Sequence, residues 1–167
     1  MNHPVKTKHF VKVADEVWIA TALLHKEHPQ APDFSIDEIV QRAAKEKLTE
    51  DMRPGVYVHV VQHCVANRAP NPGRYRMLFA TGESRRRLYR PGDSFHAARQ
   101  GSKTEPRENE LPEEYVHLLD WYRKWCAQTG AHSAEDDPLL RLRGSGKQLW
   151  ADEPADEYVN RLREGWQ

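Results

Sequence analysis

Cysteine is nearly absent from this chain of 167 residues, which holds 2, Cys64 and Cys126. Two thiols so far apart argue against a disulfide framework and point to reduced cysteines in a cytosolic protein. Long apolar runs are missing as well. With 38% hydrophobic and 30% charged residues, no stretch approaches the ~20 apolar residues of a membrane span. The opening run MNHPVKTKHFVKVADEVW has lysines but neither the unbroken apolar stretch nor the small-residue cleavage site of a signal peptide. Net charge is lacking too, since 25 basic side chains balance 25 acidic ones. No internal repeat is visible.

The balance conceals a local shortage of acid. Residues 51–107 carry 11 basic and 4 acidic side chains, a net of +7. Residues 1–50 carry 7 and 8, and residues 108–167 carry 7 and 13, a net of −6. A basic middle is the electrostatic footprint of a polyanion-binding surface, and an acidic end is not, so the two parts face different partners. So few carboxylates in the basic region argue against nuclease chemistry. No Ser/His/Asp or paired-carboxylate arrangement stands out elsewhere, so the expectation is a binding protein and not an enzyme. His59, His63 and Cys64 invite a metal, but a site needs three or four ligands and no second cluster lies at suitable spacing. The fragment RGSGK lacks the preceding strand, the full GxxxxGK spacing and the following hydroxyl of a phosphate-binding loop. Neither metal nor cofactor is expected.

The pattern that is present begins with a helix over Val13–Glu27, where Val13, Val17, Ala20 and Leu24 form a stripe widened by Trp18, Ile19 and Leu23. Pro29 ends it. A second helix starts in FSIDEIVQRAAKEK with a capping box, Ser35 and Glu38, and a hydrophobic staple, Phe34 and Ile39. RPGVYVHVVQHCVAN alternates like a strand at Val56, Val58 and Val60, but the alternation fails at Val61. Helical spacing puts His59, Gln62, His63 and Ala66 on one face, and a third helix is expected. Tyr75, Met77 and Phe79 alternate with arginines, and the turn TGES separates them from RRRLYR as in a β-hairpin. Residues 92–110 show no periodicity. A fourth helix over 112–127 has Tyr115, Leu118, Leu119, Tyr122, Trp125 and Cys126 on one face.

Three helices, a basic hairpin and a further helix predict an α+β fold: a winged helix-turn-helix domain over 10–127, with the fourth helix packed on it or at a dimer interface. In that arrangement the third helix enters the major groove and the wing follows the backbone. Arg74, Arg76, Arg85, Arg86, Arg87 and Arg90 are the expected phosphate contacts. Tyr57, His59, Gln62 and His63 are the expected base readers, with Arg53 and Asn67 at the helix ends. DNA is the preferred ligand, although a basic β-surface with Tyr75, Phe79 and Tyr89 could also stack on single-stranded bases, as in RNA.

Residues 128–146 read as a linker, and 147–167 as a partner-binding tail. In the tail Leu149 and Trp150 precede a short amphipathic helix with Tyr158, Val159, Leu162 and Trp166 on its apolar stripe. A helix this short is marginal alone and gains order by docking. The run GSGKQLWADEPADEYVNRLREGW resembles the C-terminal neutralising tail of bacterial type II antitoxins, especially those paired with PIN-domain ribonuclease toxins. The likeness rests on the Gly-Ser-Gly-Lys hinge, Leu149–Trp150, the acidic step, Tyr158–Val159, Leu162–Arg163 and Trp166. It implies a protein that joins a DNA-binding part, repressing its own operon, to a toxin-binding tail. It also implies that a basic side chain of the tail pairs with the toxin's metal-binding carboxylates. Arg161 and Arg163 are the first candidates, with Arg143 and Lys147 behind them, while Trp150, Tyr158, Leu162 and Trp166 anchor the apolar contact. Two other readings stay open: a winged-helix regulator whose tail packs on its own core or dimer, and an RNA-binding adaptor.

Overall fold

The computed structural model describes residues 10–49 and 53–130, with side chains to residue 128. The chain divides into two compact units, Met1–Cys126 and Ala127–Gln167. The first is an α+β unit of four helices and one small antiparallel sheet. The tail at 147–167, and the expected linker beyond residue 130, lie outside the described residues.

Helix α1 (Val13–Glu27) runs through the middle of this unit, with every residue from Ala14 to Ala22 buried. That is wider than the stripe its apolar spacing predicts, because most of its buried polar groups find partners inside, Asp15 Oδ2 and Trp18 Nε1 excepted. Asp15 accepts from Lys103 Nζ at 2.7 Å, Glu16 pairs with Arg53, and Thr21 donates to the Val17 carbonyl at 2.8 Å. Buried charges are tolerated when they are paired and hydrogen-bonded, and these are. His25 accepts the Leu88 N–H at Nε2, 3.4 Å away.

Strand β1 (Phe34–Ser35) leads directly into α2 (Ile36–Glu46). The capping box is present in full: Ser35 N–H donates to Glu38 at 2.7 Å and Glu38 N–H to Ser35 Oγ at 3.2 Å. Phe34 and Ile39 both join the core, and α2 ends at Lys47 in the left-handed conformation, φ 52°. The third helix, α3, opens as an α-turn over Gly55–Val58 and continues as a π-helix over His59–His63. Its apolar side, Val56, Val60 and Cys64, is buried in the same core.

Strands β2 (Leu78–Ala80) and β3 (Arg85–Leu88) form the hairpin, and β1 pairs with β3, giving the order β1-β3-β2. Phe34 faces Arg86 across one ladder, and Leu78 faces Leu88 across the other. The strand expected from Tyr75 therefore starts three residues later. The two-residue β1, hidden inside the second helix's start signal, was not foreseen by alternation because two residues cannot show a period.

Residues 92–110 include short 3₁₀ turns at Ala97–Arg99 and Glu108–Glu110, and a third at Glu113–Tyr115 precedes α4 (His117–Gly130). The segment is tied down: Arg76 N–H donates to Lys103 O at 2.8 Å, and His96 N–H to Ala66 O at 2.9 Å. Helix α4 contributes Leu118, Leu119 and Tyr122 to the core. Trp18 meets Tyr122 edge-on at 5.5 Å, and Tyr122 donates to the Tyr89 carbonyl. Among the described residues, no helix is long and apolar enough to cross a membrane.

Candidate nucleic-acid interface

The π-turn decides which side of the third helix meets solvent. A π-turn takes more residues per revolution than the 3.6 assumed in reading the sequence, so the face is rotated past His59. Tyr57 (53% exposed) and Val58 (43% exposed) stand out from the surface, with Phe10 the other large exposed apolar residue among those described. The polar face predicted for base reading is largely occupied. His59 is half-buried with Nδ1 on Gly55 O at 2.7 Å, and burial, more than any neighbouring charge, lowers its pKa. Gln62 Nε2 donates to Ala69 O, and Asn67 is bound to both backbone groups of Ala80 at 2.9 Å. His63 lies against Gly73, where a Cβ would fall 2.7 Å from the His63 Cβ, so the chain passes as only glycine permits. Its Nδ1 is buried without a partner, and its ring meets His59 edge-on at 4.8 Å. Arg53, at the start of the helix, is paired with Glu16.

The arginines expected to line phosphates divide into four groups. Arg74 is exposed and makes no ion pair or hydrogen bond among the described residues, next to the glycine packed against His63. Arg85 and Arg87 are matched by carboxylates: Arg85 Nε reaches Asp33 at 2.5 Å, and Arg87 grips Asp93 through both terminal nitrogens at 2.6 and 2.7 Å. Neither partner belongs to the hairpin: Asp33 lies outside the basic stretch 51–107, and Asp93 is one of its 4 acidic residues, so a count of charge reveals neither pairing. Arg76 donates to Ser102 O at 3.3 Å and stacks over Phe95 at 4.3 Å, and Arg90 stacks over Trp125 at 4.4 Å with its Nε buried and unpartnered.

Arg86 forms the fourth group, and its expected role needs correcting. It is fully buried and donates to five carbonyls: Val60, Val61, Gly82, Glu83 and Arg85. Burial first, and then the charge of Arg68, push its pKa down to about 10. The alternation of RRRL turns Arg86 inward, opposite to its neighbours, because successive strand residues face opposite sides.

Two arginines absent from the sequence-based set complete the picture. Arg99, also fully buried, donates to Gln62, His63, Arg68, Ala69 and Tyr75 carbonyls. Together Arg86 and Arg99 occupy the carbonyls of residues 60 to 63, which the end of a helix otherwise leaves unsatisfied, and set positive charge at its negative pole. Arg68, half-buried, reaches Val61 O at 3.5 Å and Glu83 O at 3.3 Å, bridging the helix end and the hairpin turn. Spacing could not reveal these roles, since the acceptors are backbone carbonyls that carry no residue signature.

Among the described residues, no group of three or more His, Cys, Asp or Glu gathers as metal ligands. Arg143, Lys147, Leu149, Trp150, Tyr158, Arg161, Leu162, Arg163 and Trp166, the residues implied in toxin binding, lie outside the described residues. No protein-family model, curated protein or solved structure matches this chain.

Proposed function

We propose that residues 10–127 form a winged-helix DNA-binding domain and that the chain is the antitoxin of a toxin–antitoxin pair, acting in the cytoplasm as a binding protein rather than an enzyme. The observation that carries the domain reading is the connectivity α1-β1-α2-α3-β2-β3 with β3 central, β1 pairing on one side and β2 on the other. That order sets a hairpin beside the end of a third helix, the disposition in which a helix reads the groove and a wing lies on the backbone. Tyr57, Val58, Arg74 and Arg68 are the groups positioned for contact, in place of the fuller arginine row. The antitoxin half of the reading rests on the tail's resemblance and on the acidic excess of residues 108–167, 13 acidic against 7 basic side chains.

The test uses a chain ending at Asp137. It should melt with the full chain and retain binding to DNA upstream of its own gene, yet no longer neutralise a co-encoded ribonuclease. In the full chain, Trp150→Ala or Trp166→Ala should weaken the toxin complex by about 2 kcal/mol or more if each fills a central pocket. A large drop in the melting temperature of the truncated chain, measured without any partner, would sink the tail reading and favour a tail packed on its own domain.

A further inference from the structure

The hairpin turn Gly82–Ser84 is shaped from the inside. Arg86 takes the carbonyls of Gly82 and Glu83 at 3.0 and 3.1 Å, drawing both toward the core. The peptide groups of the described chain are trans, so the N–H of each planar unit points opposite to its carbonyl. The N–H groups of Glu83 and Ser84 belong to those two units and are therefore directed outward. Residues 82 to 84 are all exposed, and neither amide donates to a protein acceptor among the described residues. Successive outward N–H groups make a concave donor site for an anion.

Arg68 stands at the edge of the same turn. It uses two of its five N–H donors, on Val61 O and Glu83 O, the two carbonyls it shares with Arg86. Two guanidinium groups sharing acceptors repel each other, and among the described residues neither is paired with a carboxylate. The exposed Glu83 side chain is engaged with neither. Charge of this kind is relieved by an external anion, and the remaining Arg68 donors suit a phosphate oxygen pair. Cations left unpaired at a turn that also offers two free amides are a different case from Arg85 and Arg87, which have their own carboxylates.

We propose that the Gly82–Ser84 turn and Arg68 bind one phosphate group of a nucleic-acid backbone, with Arg86 as the buried charge that holds the turn open to it. This rests on the nucleic-acid reading above, and it names the contact at the end of the third helix.

Binding of a labelled DNA duplex to the full chain, followed by anisotropy across a salt series, tests it together with an amide-resonance titration using inorganic phosphate. Arg68→Gln should weaken all sequences alike and flatten the log affinity against log salt plot by about one unit. Arg68→Lys should keep most of the slope. In the unsubstituted protein, phosphate should move the Glu83 and Ser84 amide resonances, and Arg68→Gln should abolish the movement. Should Arg68→Gln melt early, the phosphate titration of the unsubstituted protein decides alone. If Arg74→Gln flattens the slope and Arg68→Gln does not, with those amides silent, the site is wrong while the nucleic-acid reading stands. If the unsubstituted protein binds neither duplex nor single strand at low salt, that reading falls, and the assignment of this phosphate to a polynucleotide falls with it.

Discussion

His25 is held neutral by its surroundings: burial is the main cause, Arg90 and Arg87 add repulsion, and its pKa falls to about 4. In the unfolded chain it titrates near the ordinary value of about 6.5. Between those values the unfolded state binds the extra proton, so its stabilising contribution is complete above about pH 6.5 and is lost as pH falls toward 4. The slope from this one group is up to about 1.4 kcal/mol per pH unit, with a smaller share in the same direction from His59. The lowered carboxyls Asp33, Glu38, Glu46 and Glu110 add losses of the same sign only at the acid end of that window, as pH falls through the unfolded values of 3.8 and 4.5 and below, and the raised Asp15 opposes them. Urea denaturation at several pH values should show the slope, and His25→Gln, which keeps an acceptor for Leu88 N–H, should remove most of it. Arg86→Met should cost on the order of 3 kcal/mol, because buried carbonyls lose their donors. Arg74→Gln should leave the denaturation midpoint where it was. Nothing in the string RRRL ranks its arginines by charge; only the strand's twofold alternation tells that the middle one turns opposite to its neighbours.

At the scale of elements, the capping box and the amphipathic fourth helix were legible because their signals are local and short in range. Ser35→Ala should remove about 1 kcal/mol, measured as a shift in unfolding midpoint at constant slope. The third helix was legible as a helix and illegible in its facing. Its π-turn changes the angular step after Val58, and no residue pattern in HVVQH announces that step. A π-turn behaves as one residue more than an α-helix needs. Deleting Val61 should therefore restore α-geometry with little turn of the chain beyond it, so that Cys64 O keeps its place as acceptor for Met77 and Leu78 N–H, at 3.1 and 2.9 Å. Circular dichroism and melting of the deletion variant check this: a folded protein with its helix content retained is expected, whereas the same deletion in an ordinary α-helix would turn the following chain by about 100°. The isolated strand β1 was unreadable for a different reason: its identity comes from the Arg85 and Arg86 ladder, and long-range pairing leaves no mark in two residues.

For the whole molecule, the regional charge contrast survives folding less than composition suggests. Asp33 reaches Arg85 and Glu16 reaches Arg53 from outside the basic stretch, and Asp15 and Glu110 take Lys103. Among the described residues, Arg68, Arg74, Arg86 and Arg99 near the third helix and the turn beside it have no carboxylate partner. One feature of the core also provides a clock. Cys64 is completely buried, its thiol is pushed far up by that burial, and Cys126 is half-buried. A thiol reagent can reach Cys64 only while the core is open, since the reactive species is the exposed thiolate. With Cys126→Ser as the background, the labelling rate of the remaining thiol therefore counts the openings of the native protein, without denaturant. If labelling follows global unfolding, its rate should give the same opening free energy as urea extrapolation. A much faster rate would mean that the segment joining the third helix to the hairpin opens on its own.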